Sequence, residues 1–236
     1  MKKLVLIAAS ALTLVSSLPA HAAVERIVVV NGICSKSVVP DRGSINVVAT
    51  TQDLDLQKAS KKTTEAYEKL KGAVQKLNLK DVEISTTEYS LSEVRDWEKE
   101  KSVFKGFRAR MGLGITTSEI ARLGEVIQLA ANQNLKEVGA LNAFLSDAKI
   151  QTERESCLED AIANARSKAT RMAKAAGGKV GKALVVVETG ASVPQPRLME
   201  SQAKASFAGA MSDAPPSVDA GQQKLTVSVD VTFSLE

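Results

Sequence analysis

Apolar residues recur along this chain at two periods, and its final strand shows the shorter one. Leu225, Val227, Val229, Val231, Phe233 and Leu235 alternate with Thr226, Ser228, Asp230, Thr232 and Ser234, the pattern of a strand with one buried face. Between Ser146 and Glu188 the period is helical. Leu158, Ala161, Ile162, Ala165, Ala169, Met172, Ala173 and Ala176 stand three and four apart, which places them on one helix face. Ser146 or Asp147 can cap the start, and Gly177-Gly178 can supply a left-handed stop. The face is mostly alanine, so this helix can lie close on a sheet. Ala183 to Val187 then read as a short buried strand.

The same patterns predict the other elements. Ile27 to Ile33 and Ser44 to Thr51 read as two strands joined into a β-hairpin through Pro40-Asp41-Arg42-Gly43. A helix from about Leu54 to Leu77 carries Leu56, Ala59, Ala66, Leu70, Val74 and Leu77 on one side and interleaved charges on the other. Val82 to Leu91 is a third strand. Ser92 to Ser102 is charged, holds Trp97 and reads as an exposed loop. Phe107 to Ile115 alternates as a strand, and Thr116-x-x-Glu119 reads as a capping box for a short helix with Ile120, Leu123, Ile127 and Ala130. Val138 to Leu145 is a further strand. Gly190 to Gln222 is rich in Ala, Ser, Pro and Gly and reads as a flexible loop, or as an arm or lid. Intermixed strands and helices indicate an α+β fold with a mixed or antiparallel sheet, and both halves hold strands around amphipathic helices, as a pseudo-duplicated domain would.

The start of the chain changes the chemistry open to the rest. Lys2 and Lys3, an apolar run from Leu4 to Val15, and Ala20-His21-Ala22 have the order of a cleavable export signal, with cleavage between Ala22 and Ala23. The apolar run is too short to anchor the chain across a bilayer. Cleavage removes His21, the single histidine. Ser-His-Asp and Cys-His catalysis are then excluded, as are the common histidine metal sites. Losing Lys2 and Lys3 lowers the formal net charge from +4 to +2. Interleaved charges and 3% aromatic residues do not make a nucleic-acid surface.

Other chemistry is thinly supported. Glu153, Glu155, Glu159 and Asp160 cluster at helical spacing, as on a solvated face that suits the helix dipole. Gly112-Leu113-Gly114 and Gly177-Gly178-Lys179-Val180-Gly181 are too short and wrongly placed to bind a nucleotide. No Gly-x-Ser-x-Gly elbow occurs. These readings assign no catalytic residue, cofactor or metal. Cys34 and Cys157 survive export. They are either a disulfide, which an oxidising compartment allows, or two buried free thiols.

Several stretches resemble the SIMPL-domain family of exported bacterial proteins, which includes periplasmic oxidative-stress-defence proteins of the YggE type. They are Ala161, Ala165-Arg166, Lys168-Ala169, Ala173, Ala176-Gly177 and Gly181, with Pro40-Asp41, Ile84-Ser85-Thr86, Tyr89-Ser90-Leu91, Phe107 to Leu113, Leu145-Ser146-Asp147 and the final strand. Cys34 and Cys157 stand outside that pattern, and Asp219-Ala220-Gly221 replaces a Pro-Gly turn often found before the last strand. The resemblance implies a mixed α/β fold, homo-oligomers and a link to oxidative-stress defence, and it carries no active site. The expectation is a non-enzymatic, homo-oligomeric periplasmic protein, compatible with an outer-membrane association. The alternatives are a binding module for an envelope protein or small ligand, and a thiol redox role for Cys34 and Cys157.

Overall fold

The elements run, in order, β1 (Ile27–Val38), β2 (Arg42–Asp53), α1 (Leu56–Lys76), β3 (Glu83–Glu98), β4 (Lys101–Thr117), a 3-10 turn (Ile120–Arg122), α2 (Leu123–Asn132), β5 (Glu137–Val138), β6 (Asn142–Phe144), α3 (Asp147–Ala175), β7 (Val180–Ser192), β8 (Arg197–Leu198) and β9 (Gln223–Leu235). This computed structural model describes residues 26–98, 100–192, 197–198 and 215–236. The expected export segment, with its expected cleavage point at Ala22 and Ala23, lies outside the described residues, as does most of 190–222.

Two antiparallel sheets result, making an α+β fold; every strand pairing among the described residues is antiparallel. The first has the order β1-β9-β7 and the second β3-β4-β2-β6-β8, with β5 also on β2. β1 pairs with β9 along its whole length, while β2 pairs with β4. The expected hairpin of the first two strands therefore does not form. Alternation fixes which face of a strand is buried but leaves its partner open. Here β1 turns Val28, Val30, Cys34 and Val38 toward α3, and β2 turns Ile45, Val47 and Ala49 toward the other helices. Asp41 pins the crossing between the sheets: its carboxylate accepts from Ser146 N at 2.7 Å and from Ser146 Oγ at 2.6 Å.

Each sheet has its own core. In the first, Cys157, Ala161, Ala165, Ala169 and Ala173 are each 0% exposed, a row at four-residue spacing along α3. This row is narrower than the face read from sequence, since Ile162 is 36% and Met172 51% exposed. Close approach explains the alanines: a Cβ on Gly32 of β1 would lie 2.1 Å from the Ala161 carbonyl oxygen. Ser146 caps α3 by accepting from Lys149 N, and Gly177 has φ +79° at its stop. In the second core Tyr67, Leu70 and Val74 of α1 meet Leu113 and Ile115 of β4 and Val126 of α2. Fully burying each such aliphatic side chain contributes roughly 1.5–3 kcal/mol.

Four local readings need correction. The capping box does not form: Thr117 Oγ1, not Thr116, accepts from Glu119 N, and the Glu119 carboxylate accepts from Lys80 N. Val138 to Leu145 is two short strands broken at Gly139, whose N–H donates to Asn46 O at 2.7 Å. Ser92 to Ser102 is not a loop; β3 and β4 pair through it as far as Glu98 and Lys101. Ala183 to Val187 form a strand, but an exposed one. A helix about 10 Å wide covers about two strands spaced about 4.8 Å apart. α3 lies on β1 and β9 and barely reaches β7.

Candidate functional site

The two stretches read from sequence as a loop and as a buried strand are places where apolar side chains lie exposed in the fold. β2 stops pairing at Asp53 opposite Phe107, so 94–98 of β3 and 101–106 of β4 continue as a two-stranded arm. The register shifts at Val94/Arg95, and opposite it Gly106 has φ +115°. A Cβ there would lie 2.6 Å from the Asp53 carbonyl oxygen. Glycine is therefore required where the arm bends away from the sheet.

Pairing puts Arg95 opposite Phe104 and Trp97 opposite Ser102, so these four share one face. Trp97 is 76% exposed and Phe104 39%. Phe104 meets Phe107 edge to face with ring centroids 5.3 Å apart. Leu54, 73% exposed, sits at the base. Ion pairs form here, Lys105 with Glu98 and Arg95 with Glu93 at 3.1 Å, and basic and acidic residues interleave along the arm. The hydrogen bond to Glu98 raises the Lys105 pKa. The presented surface is thus aromatic with little net charge of its own.

The other candidate residues are spent on structure. Cys34 and Cys157 are joined as a disulfide with Cα atoms 5.5 Å apart, and it staples β1 to α3. Cys34 is 8% exposed and Cys157 fully buried. In the acidic first turns of α3, Glu153 is held by Lys36 at 2.6 Å and Lys149 at 3.1 Å. The Lys36 bond first, then the Lys149 bond, keeps its carboxyl below the usual range. Glu155 accepts from Gln151. No cluster of three metal-ligating side chains occurs among the described residues. An open cleft of about 510 Å³ is lined by Val39, Pro40, Glu119, Arg122, Val218 and Asp219. The Arg122 guanidinium there donates to Glu119, Glu125 and the Leu77 carbonyl, so most of its donors hold the fold together. The signal for the arm was in the sequence, since Val94 and Trp97 precede Val103 and Phe104 across a charged turn. Dense charge hid the strand period.

The family model "SIMPL: Protein of unknown function (DUF541)" matches residues 28–233. The 26 kDa periplasmic immunogenic protein of Brucella melitensis is 24% identical over 215 residues, 89% of this chain and 84% of the relative. Its Brucella abortus counterpart matches to the same extent. The "Uncharacterized protein YggE" of Edwardsiella ictaluri is 25% identical over 155 residues, 65% of this chain and 64% of the relative.

Proposed function

The chain belongs to the SIMPL family, and from that premise we propose a periplasmic protein that works as a homo-oligomer, without enzymatic chemistry, in envelope defence against oxidative stress. The periplasmic assignment draws on the export signal and on relatives named as periplasmic. The oligomer reading rests on one observation: an arm with Trp97 and Phe104 on its open face. Isolated two-stranded ribbons are marginal in water, and exposed apolar patches of this kind mark interaction surfaces. Export past the outer leaflet of the inner membrane brings the same arm within reach of an outer-membrane or other envelope partner.

The oxidative-stress role is tested in cells that lack the protein. Survival after peroxide should fall and return with the wild-type chain. Mass by sedimentation at micromolar concentration tests the oligomer directly, and a clean monomer would remove that part of the reading. A thiol redox role requires the buried Cys34–Cys157 bond to open. Full peroxide protection by a chain with both cysteines replaced by serine would end it.

A further inference from the structure

We infer that the free edge of β7 is a strand-addition site for a short extended segment of another polypeptide, one with aliphatic side chains on both faces. β7 is the last strand of its sheet, so alternate N–H and C=O groups along its outer edge have no strand partner among the described residues. An edge of this kind is a template for β-augmentation. After Ser192 the chain leaves for the other sheet, where Arg197 pairs with Ala143. Leu184, Val185, Val186 and Val187 are between 45% and 52% exposed.

The register gives the two faces of the site. Val185 and Val187 stand opposite Thr232 and Asp230, on the open face of the sheet. Val186 stands opposite the buried Val231, on the α3 side. There the helix row Arg154, Leu158, Ile162 and Arg166 flanks the β7 side of the sheet: Arg154 reaches Glu188 at 2.7 Å, and Arg166 lies 5.8 Å over the Phe233 ring. Ile162 and Leu158 lie between them on that row. An added strand would extend an aliphatic surface on both faces. Glu188, the one charge closing the run, is already neutralised by Arg154.

The length of the edge selects the occupant. Register shifts interrupt β7 at Ala183/Val185 and Glu188/Gly190, leaving Val185 to Glu188 as four unbroken pairs. That is about 13 Å of strand. A symmetric ladder of β7 with the β7 of a second copy would bury a few hundred Å² on each side, well below the roughly 800 Å² per partner of a stable dimer. Four residues suit an extended peptide held by main-chain bonds, with side-chain contacts on both faces.

The test uses the purified protein and a labelled, blocked heptapeptide, Thr-Val-Ile-Val-Thr-Lys-Lys, followed by fluorescence anisotropy. A twin N-methylated at its isoleucine and at the valine that follows loses an N–H on each edge and cannot pair on either. Binding of the first peptide is expected, with roughly tenfold or greater weakening for the twin and for the Val186→Lys variant. Val29→Lys, on the open face of β1, should bind as wild type. Equal binding of the twin, undiminished binding by Val186→Lys, or no binding at about 1 mM peptide would each overturn the inference. So would a wild-type oligomer that Val186→Lys converts to monomer, because the edge would then belong to a second copy. A wild-type chain that sediments as a monomer and still binds the first peptide would leave this site standing and count only against the oligomer reading, whereas loss of assembly in variants of the Trp97 arm with peptide binding intact supports both.

Discussion

Gly32 shows how one atom sets the distance between a sheet and its helix. Adding a methyl there places it 2.1 Å from Ala161 O and 2.8 Å from Ala165 Cβ. Gly32→Ala should therefore lower stability by about 1–3 kcal/mol through overpacking, read as a shift in the urea midpoint. Gly72→Ala is the contrast. It lies inside α1 with nothing within 4 Å of its new Cβ, and should raise stability by about 0.5–1 kcal/mol. The two cysteines act across a longer range. Their bond spans a sequence separation of 123, and in the chain-entropy model closing such a loop contributes about 4–5 kcal/mol. Replacing both with alanine should lower the unfolding free energy by an amount approaching that value; a change below about 1 kcal/mol would put the staple's energetic role in doubt. Glu153 supplies a pH signature. Its folded pKa is depressed by Lys36 and Lys149, so its contribution is present above the ordinary value of about 4.3 and is lost as pH falls through the lower folded value. Glu153→Gln should melt below wild type at pH 7, and the two melting curves should converge in acid.

Elements were more legible than their neighbours. β9, α1 and α3 stand where period two and period 3.6 placed them, since each buries a single face. The capping residue Ser146 and the stop at Gly177 follow from local backbone chemistry. What the sequence left open was coverage and partnership. The run from Leu184 to Val187 has the composition of a buried strand, and its exposure depends on the width of a helix packed over the neighbouring strands β9 and β1. The hairpin expected of β1 and β2 failed because pairing across 200 residues, β1 with β9, leaves no local mark. The β3–β4 arm was hidden because paired charges along it mimic loop composition. Its bend is sensitive to a single substitution. Gly106→Ala combines φ +115° with a Cβ 2.6 Å from Asp53 O, a local cost of about 1–3 kcal/mol. Amide exchange should accelerate across residues 94–106 while the amides of β9 keep their protection. Uniform acceleration throughout the chain would show that the arm is not a separate cooperative unit.

At the scale of the whole molecule, two sheets with separate cores each leave apolar side chains exposed: aromatic on the arm, aliphatic on β7. A formal net charge of +4 on the full sequence, or +2 if the expected export signal is removed, gives little long-range repulsion against self-association. If the arm is the contact between copies, Trp97 is a reporter built into it, because it is the only tryptophan in the chain. Dilute protein should emit as a solvated indole, in keeping with 76% exposure. Raising the concentration should shift emission to the blue with the same midpoint that sedimentation gives for assembly, and dilution should reverse it. Phe104→Ser removes the neighbouring aromatic contact while leaving the fully buried core residues untouched. It should keep the monomer's emission at every concentration and sediment as a monomer. Assembly with Trp97 still solvated would place the contact elsewhere, and the arm would then be free for an envelope partner.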